Sequence, residues 1–226
     1  MKKIAVILSG CGVYDGSEIH EATFTLLAIA QNGGEYQCFA PNKSQMHVVN
    51  HLNGDEQNQT RNVLEESARI ARGDVKDLKE YNAANFDALV IPGGFGAAKN
   101  LNQWAVKGPD GEIDESVKHA IISTHKAGKY LVGLCMGPTV LAQALQGTTT
   151  ALLTVGSTEE ASPYDIDAIS KGMESIGAKT ENQPKSGITV DHEQKVITAP
   201  CYMMEASITD VYDNVSKSIS ELFKNM

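Results

Sequence analysis

Three short apolar runs rich in branched side chains, residues 4–8, 88–91 and 129–134, have glycine at or near their carboxyl ends: Gly10, Gly93 and Gly133. Apolar runs without polar alternation are strands covered on both faces, which requires helices above and below a parallel sheet. The segments between them have helical period. Phe24, Leu27 and Ala28 share one face of a helix that Ser17 can cap and Asn32-Gly33-Gly34 stops. Val117, Ala120 and Ile121 share a face of 113–126, and Ile208, Val211, Val215, Ile219 and Leu222 form the stripe of the last helix. Alternating strands and helices specify an α/β fold: a doubly wound, mostly parallel sheet with helices on both faces. In such sheets a site forms beyond the carboxyl ends of the strands, where the winding reverses. Three glycine-bearing ends at one edge are what a single site needs.

The rest of the chain fits that plan. Residues 36–40 read as a second strand, 60–72 as an amphipathic helix capped by Thr60, 151–155 as a fifth core strand and 164–176 as a helix ended by Gly177. Residues 188–190 and 196–199 flank Asp191-His192-Glu193-Gln194 as a C-terminal β-hairpin. Residues 1–226 fit a single domain, and 42% hydrophobic residues suffice for its core. A formal net charge of -9 with no basic run argues against nucleic acid or an anionic membrane as partner. The apolar run after Lys2-Lys3 stops at Ser9-Gly10, too short for a signal peptide or a membrane span. The four cysteines, Cys11, Cys38, Cys135 and Cys201, form no Cys-x-x-Cys pair. Neither a zinc site nor a disulfide framework is expected, and a reducing cytoplasm is the simplest location. His47 and His51 read as structural or exposed. The loop 9–16 spaces its last glycine one residue too far for a dinucleotide fingerprint, so no such cofactor is expected.

Gly133-Leu134-Cys135-Met136-Gly137-Pro138 has the outline of a nucleophile elbow, a strand stopping at a cysteine and turning at once into a helix. The flanking glycines permit the sharp turn, and Pro138 suits a first helical turn. Helix N–H groups and the dipole would favour a thiolate and could hold an oxyanion. The competing reading is a buried core cysteine. A thiolate needs an imidazole or an acid able to donate to it. His192-Glu193 lies in the hairpin turn, and His20 and His125 lie within helices. Glu18 lies at the right edge, in the first turn after the first strand. Most such glutamates are simply favoured by the dipole. A protonated Glu18, though, would donate to the Cys135 thiolate, lower its pKa and share one proton with it. Cys11 belongs to the same edge, as a resolving thiol or, more commonly, a packed bystander. Cys38 reads as core. Cys201 follows Pro200 at a strand end and approaches the site, its role open.

Gly133 to Thr139, Glu18 and Pro92-Gly93-Gly94-Phe95-Gly96 resemble the PfpI superfamily. Residues 9–21, 60–64 and 92–101 resemble its ElbB branch, also called the enhancing-lycopene-biosynthesis or sigma-cross-reacting family. The likeness runs through most of the chain. It implies a flavodoxin-like sandwich, a homodimer, a reactive elbow cysteine with a nearby glutamate, and no cofactor or metal. It also implies glyoxalase activity on glyoxal and similar small 2-oxoaldehydes, a lyase reaction that can reflect deglycation. In that reading Cys135 attacks, Glu18 moves the proton, and the N–H groups of Gly94 and Met136 hold the oxyanion, with Gly93, Cys11 and Cys201 as neighbours. Met136 stands where protease-like members have His, and Gly156-Ser157-Thr158-Glu159-Glu160 offers no histidine. The competing class is a thiol redox sensor or partner-binding protein using Cys135 without turnover.

Overall fold

The computed structural model describes residues 1–226. The elements run β1 Lys3–Ile7, α1 Ile19–Gln31, β2 Glu35–Ala40, α2 Val63–Ile70, β3 Val75–Asp77, β4 Ala88–Ile91, α3 Trp104–Lys107, α4 Glu115–Lys126, β5 Tyr130–Leu134, α5 Gly137–Leu145, β6 Leu152–Leu153, α6 Ile166–Ser175, β7 Lys179–Thr180, β8 Thr189–Asp191, β9 Val196–Ala199 and α7 Ile208–Asn225. Seven strands form one sheet in the order β3-β2-β1-β4-β5-β9-β8, parallel throughout except for β8 against β9. Helices α1 and α7 pack together on one face, and α4 and α5 on the other. This is the flavodoxin-like arrangement, with the expected C-terminal hairpin set at one edge.

Burial explains the strand runs. Ile4 to Ile7, all of β4 and all of β5 are buried, and all but Gly133 belong to one contiguous core of 52 residues. From β1 the chain winds towards β2 and β3, and from β4 it winds the other way, towards β5 and β9. The reversal therefore falls between β1 and β4. The carboxyl ends of β1, β4 and β5 open onto one edge, as their glycines imply.

Several local expectations change. Residues 151–155 do not join the main sheet: β6 pairs with β7 in a separate two-stranded sheet. Its neighbouring amides go to side chains instead, Leu152 N–H to Asp191 Oδ2 (2.8 Å) and Thr154 N–H to Thr198 Oγ1 (2.9 Å). Glu18, not Ser17, caps α1, while the Ser17 hydroxyl accepts from Ser9 N–H at 2.9 Å. Asn62, not Thr60, caps α2. In α1 the core face is Ala22, Leu26 and Ile29, which leaves Leu27 exposed, and Ile208 at the start of α7 is exposed too. The short edge strand β3 carries no apolar pattern that a sequence could reveal.

Candidate active site

The turn between β5 and α5 is tight enough to force Cys135 into the left-handed region, at φ +55, where a β-carbon is strained. Such strain persists only where the surroundings over-determine it. Here α5 presses on β4: a β-carbon at Gly137 would lie 2.7 Å from the Ile91 carbonyl oxygen. Cys135 N–H is anchored to Ala199 O at 2.9 Å, tying the elbow to the neighbouring strand. The N–H groups of Gly94 and Met136 have no backbone acceptor and reach the Cys135 sulfur, drawing its pKa down. The elbow and the two donors named from the sequence thus meet at one atom.

The carboxyl beside that atom is Glu21. Glu18 is the N-cap of α1, and its Oε2 accepts from Glu21 N–H at 2.7 Å. An acid committed to capping cannot also reach across to β5. Glu21 lies one turn further on and points inward, completely buried. Its Oε2 accepts from Gly93 N–H at 3.0 Å and its Oε1 from Tyr202 N–H at 3.2 Å. A β-carbon at Gly93 would fall 2.6 Å from Glu21 Oε2, 2.8 Å from Cys135 Sγ and 2.3 Å from Cys135 Cβ. Only glycine lets the β4 loop lie against both groups. The pairing expected for Glu18 therefore belongs to Glu21. The spacing Glu18-x-x-Glu21 could have signalled it, because an N-cap acid holds the third residue's N–H and turns that side chain towards the sheet.

Electrostatics reverses a second expectation. Burial, then the charge of Glu18, pushes the Glu21 carboxyl up to about 8. Burial and the charge of Glu21 push the Cys135 thiol well above its ordinary range, against the pull of the two N–H groups. Cys135 is thus not a ready thiolate at neutral pH. The two groups form a coupled pair that keeps both protons in neutral water and releases the first near pH 8. A buried base next to a protonated nucleophile can take the thiol proton as sulfur attacks, and a base poised near operating pH is the efficient kind.

Other residues complete the surroundings. Tyr164, unassigned from the sequence, feels the charges of Cys135 and Glu21, which add to burial in raising its hydroxyl to about 12. Its ring meets Phe95 edge-on at 5.8 Å, and both line a cleft of about 490 Å³ with Tyr14, Val49, Lys99 and Ala105. His20 Nδ1 lies 2.9 Å from Tyr202 Oη and 3.8 Å from Glu18 Oε1, so this helix-borne histidine does border the site. Cys201 is buried beside Cys135. Cys11 is half-buried, and burial, then the charge of Glu66 in α2, raises its thiol's pKa. Cys38 is core. His192 is exposed in the β8–β9 turn, at the far end of the sheet.

No family model matches the chain. It is 39% identical to the human glutamine amidotransferase-like class 1 domain-containing protein 3, mitochondrial, over 98% of this chain and 82% of that protein. To the zebrafish (Danio rerio) ES1 protein, mitochondrial, it is 30% identical over 98% of this chain and 85% of that one. Among solved structures, an isoprenoid biosynthesis protein with amidotransferase-like domain from Ehrlichia chaffeensis superposes with a TM-score of 0.90 at 32% identity, covering 100% of this chain and 99% of that one. Drosophila melanogaster DJ-1beta, at 16% identity and a TM-score of 0.55 over 98% of this chain and 90% of its own, shares the fold. No helix is long and apolar enough to cross a membrane. Identity of this extent over nearly the whole chain means that it belongs to the family of the ES1 proteins and the glutamine amidotransferase-like class 1 domain-containing protein 3, on a fold shared with DJ-1beta.

Proposed function

We propose that the protein is a cofactor-independent glyoxalase that converts glyoxal or a similar small 2-oxoaldehyde to the 2-hydroxy acid. The observation that carries this reading is the completely buried Glu21 carboxyl lying with the Cys135 thiol against Gly93, at the strained elbow. In its ionised form Glu21 takes the Cys135 proton as the sulfur attacks the aldehyde carbon. That proton passes to the aldehyde oxygen, giving a hemithioacetal. Glu21 then removes the proton from the hemithioacetal carbon, forming an enediolate, and returns it to the neighbouring carbon while the hydroxyl proton passes to the neighbouring oxygen. The resulting thioester is hydrolysed by water, which frees the hydroxy acid and restores the thiol. The N–H groups of Gly94 and Met136 stabilise the oxyanions, each donor being worth about 10²–10³ in rate. Glu18 acts by holding the start of α1 and by its charge on Glu21. Deglycation would be the same chemistry seen on carbonyl adducts.

We further place it as a homodimer in a reducing compartment such as the cytoplasm, a setting that suits four free thiols. Sedimentation velocity reads the oligomeric state directly. Glyoxal turnover by wild type, Cys135→Ser, Glu21→Gln and Glu18→Gln tests the mechanism. The first two substitutions are expected to lower kcat/KM by about 10² or more, and Glu18→Gln by far less. Undiminished turnover in Glu21→Gln removes that residue from the chemistry.

A further inference from the structure

Cys201 is a buried thiol that the proposed reaction does not use. It sits just past the end of β9 as Cys135 sits just past the end of β5, and Leu134 and Ala199 are register partners in these neighbouring parallel strands. Cys135 lies one residue past β5 and Cys201 two past β9. With strands about 4.8 Å apart and a rise of about 3.3 Å per residue, this one-residue offset sets their Cα atoms roughly 6 Å apart, inside the span of about 4.4–6.8 Å that a disulfide bridges. The Cys135 N–H bonds Ala199 O at 2.9 Å, which ties the elbow to the strand end that carries Cys201. Four non-glycine residues have positive φ: Arg72 and Lys195 in exposed turns, and Cys135 (+55) and Cys201 (+48), which are both buried. Buried left-handed strain collects at functional positions. At Cys201 it is held in place by Asn214, whose Oδ1 accepts the Cys201 N–H at 3.0 Å while its Nδ2 donates to Gly187 O at 2.7 Å. Tyr202, the next residue, gives its N–H to Glu21. One carboxyl thus lies beside the Cys135 sulfur and holds the backbone next to Cys201.

We propose that Cys201 is the resolving thiol of Cys135, so that a hydroperoxide converts the pair to an intramolecular disulfide. Cys135, at the strained elbow with the Glu21 carboxyl beside its sulfur, reacts first. Its sulfur displaces one oxygen of the peroxide bond, which gives the sulfenic acid and, from hydrogen peroxide, one water. The Cys201 sulfur then attacks the Cys135 sulfur. The sulfur–oxygen bond breaks, Glu21 delivers the proton that lets hydroxide leave as water, and the Cys201 proton goes to Glu21 in return. Two electrons pass from the thiols to the peroxide, and a dithiol reductant reverses the change.

The test uses the full chain. Purified reduced protein is treated at pH 8 with one equivalent of hydrogen peroxide, then alkylated, digested and mapped by mass spectrometry. The proposal expects loss of two alkylatable thiols and of the mass of two hydrogens, with a peptide linking Cys135 to Cys201 that dithiothreitol opens. In Cys201→Ala, checked for native fold by circular dichroism and given two equivalents of peroxide, Cys135 should proceed to a sulfinic acid that dithiothreitol does not reverse. Wild-type protein that itself forms the sulfinic acid with Cys201 still alkylatable, that links Cys135 to Cys11, or that resists peroxide altogether overturns the proposal. The wild-type map decides even if the variant does not fold.

Discussion

Replacing Glu21 with Gln should change how the stability of the fold depends on pH. Glu21 is completely buried, and its carboxyl is pushed from an ordinary 4.5 up to about 8. Below pH 4.5 the folded and unfolded chains both hold this proton, and the group's contribution to stability is fully present. Between there and pH 8 the unfolded chain has released it while the folded one has not. Unfolding free energy then falls by about 1.4 kcal/mol per pH unit, roughly 5 kcal/mol across the window, and is flat again above it. Gln has no proton to release, so this part of the slope disappears. The amide has a separate, pH-independent cost. Its nitrogen cannot accept, so the N–H of Gly93 or of Tyr202 loses its partner, at about 1–3 kcal/mol. The variant should therefore be the less stable protein near pH 5 and the more stable one near pH 8. Urea denaturation at pH 5, 6, 7 and 8 reads both curves, and all other titrating groups are common to the two proteins. Parallel curves over that range would refute the buried, protonated carboxyl.

Three further outcomes follow from the same geometry. Glyoxal kcat/KM in the wild type should rise with pH through about 8, as Glu21 ionises into the base form, and level off above it; a profile already flat from pH 6 argues against Glu21 as the base. Gly93→Ala puts a methyl group 2.3 Å from Cys135 Cβ and 2.6 Å from Glu21 Oε2. It should cost about 1–3 kcal/mol in denaturation midpoint measurements and about 10² in turnover by parting the pair. Asn214→Ala strips both the Cys201 N–H and the Gly187 carbonyl of their buried partner; thermal unfolding should report a loss of about 2–4 kcal/mol.

The elbow was legible because its determinants are local. Two glycines, a proline and an apolar strand within nine residues leave few other conformations, and Cys135 takes the strained one. The convergence of the β1, β4 and β5 ends was legible too, because fully apolar strands dictate a parallel sheet and a parallel sheet dictates where loops gather. The identity of the acid was not. Glu18 and Glu21 are both first-turn glutamates of α1, and which of them faces inward depends on the cap, which in turn depends on Ser17 being drawn back to the Ser9 amide. Strand β6 was misassigned to the core sheet because Leu152 and Leu153 carry the apolar signature while their neighbourhood's amides are taken by Asp191 and Thr198 side chains far along the chain. Protonation was misread for a similar reason. A helix N-terminus lowers a thiol's pKa, but the burial and the second acid that outweigh it come from β4 and α1, not from the elbow's own residues.

The account rests on Cys135 and Glu21 acting on one another, and the rate of Cys135 alkylation against pH in wild type and Glu21→Gln measures this most directly. With the neighbouring negative charge removed and the two N–H donors left in place, the thiol should ionise at lower pH in the variant and alkylate faster near neutrality. An ionisation midpoint that stays where it was, or moves upward, would contradict the pairing.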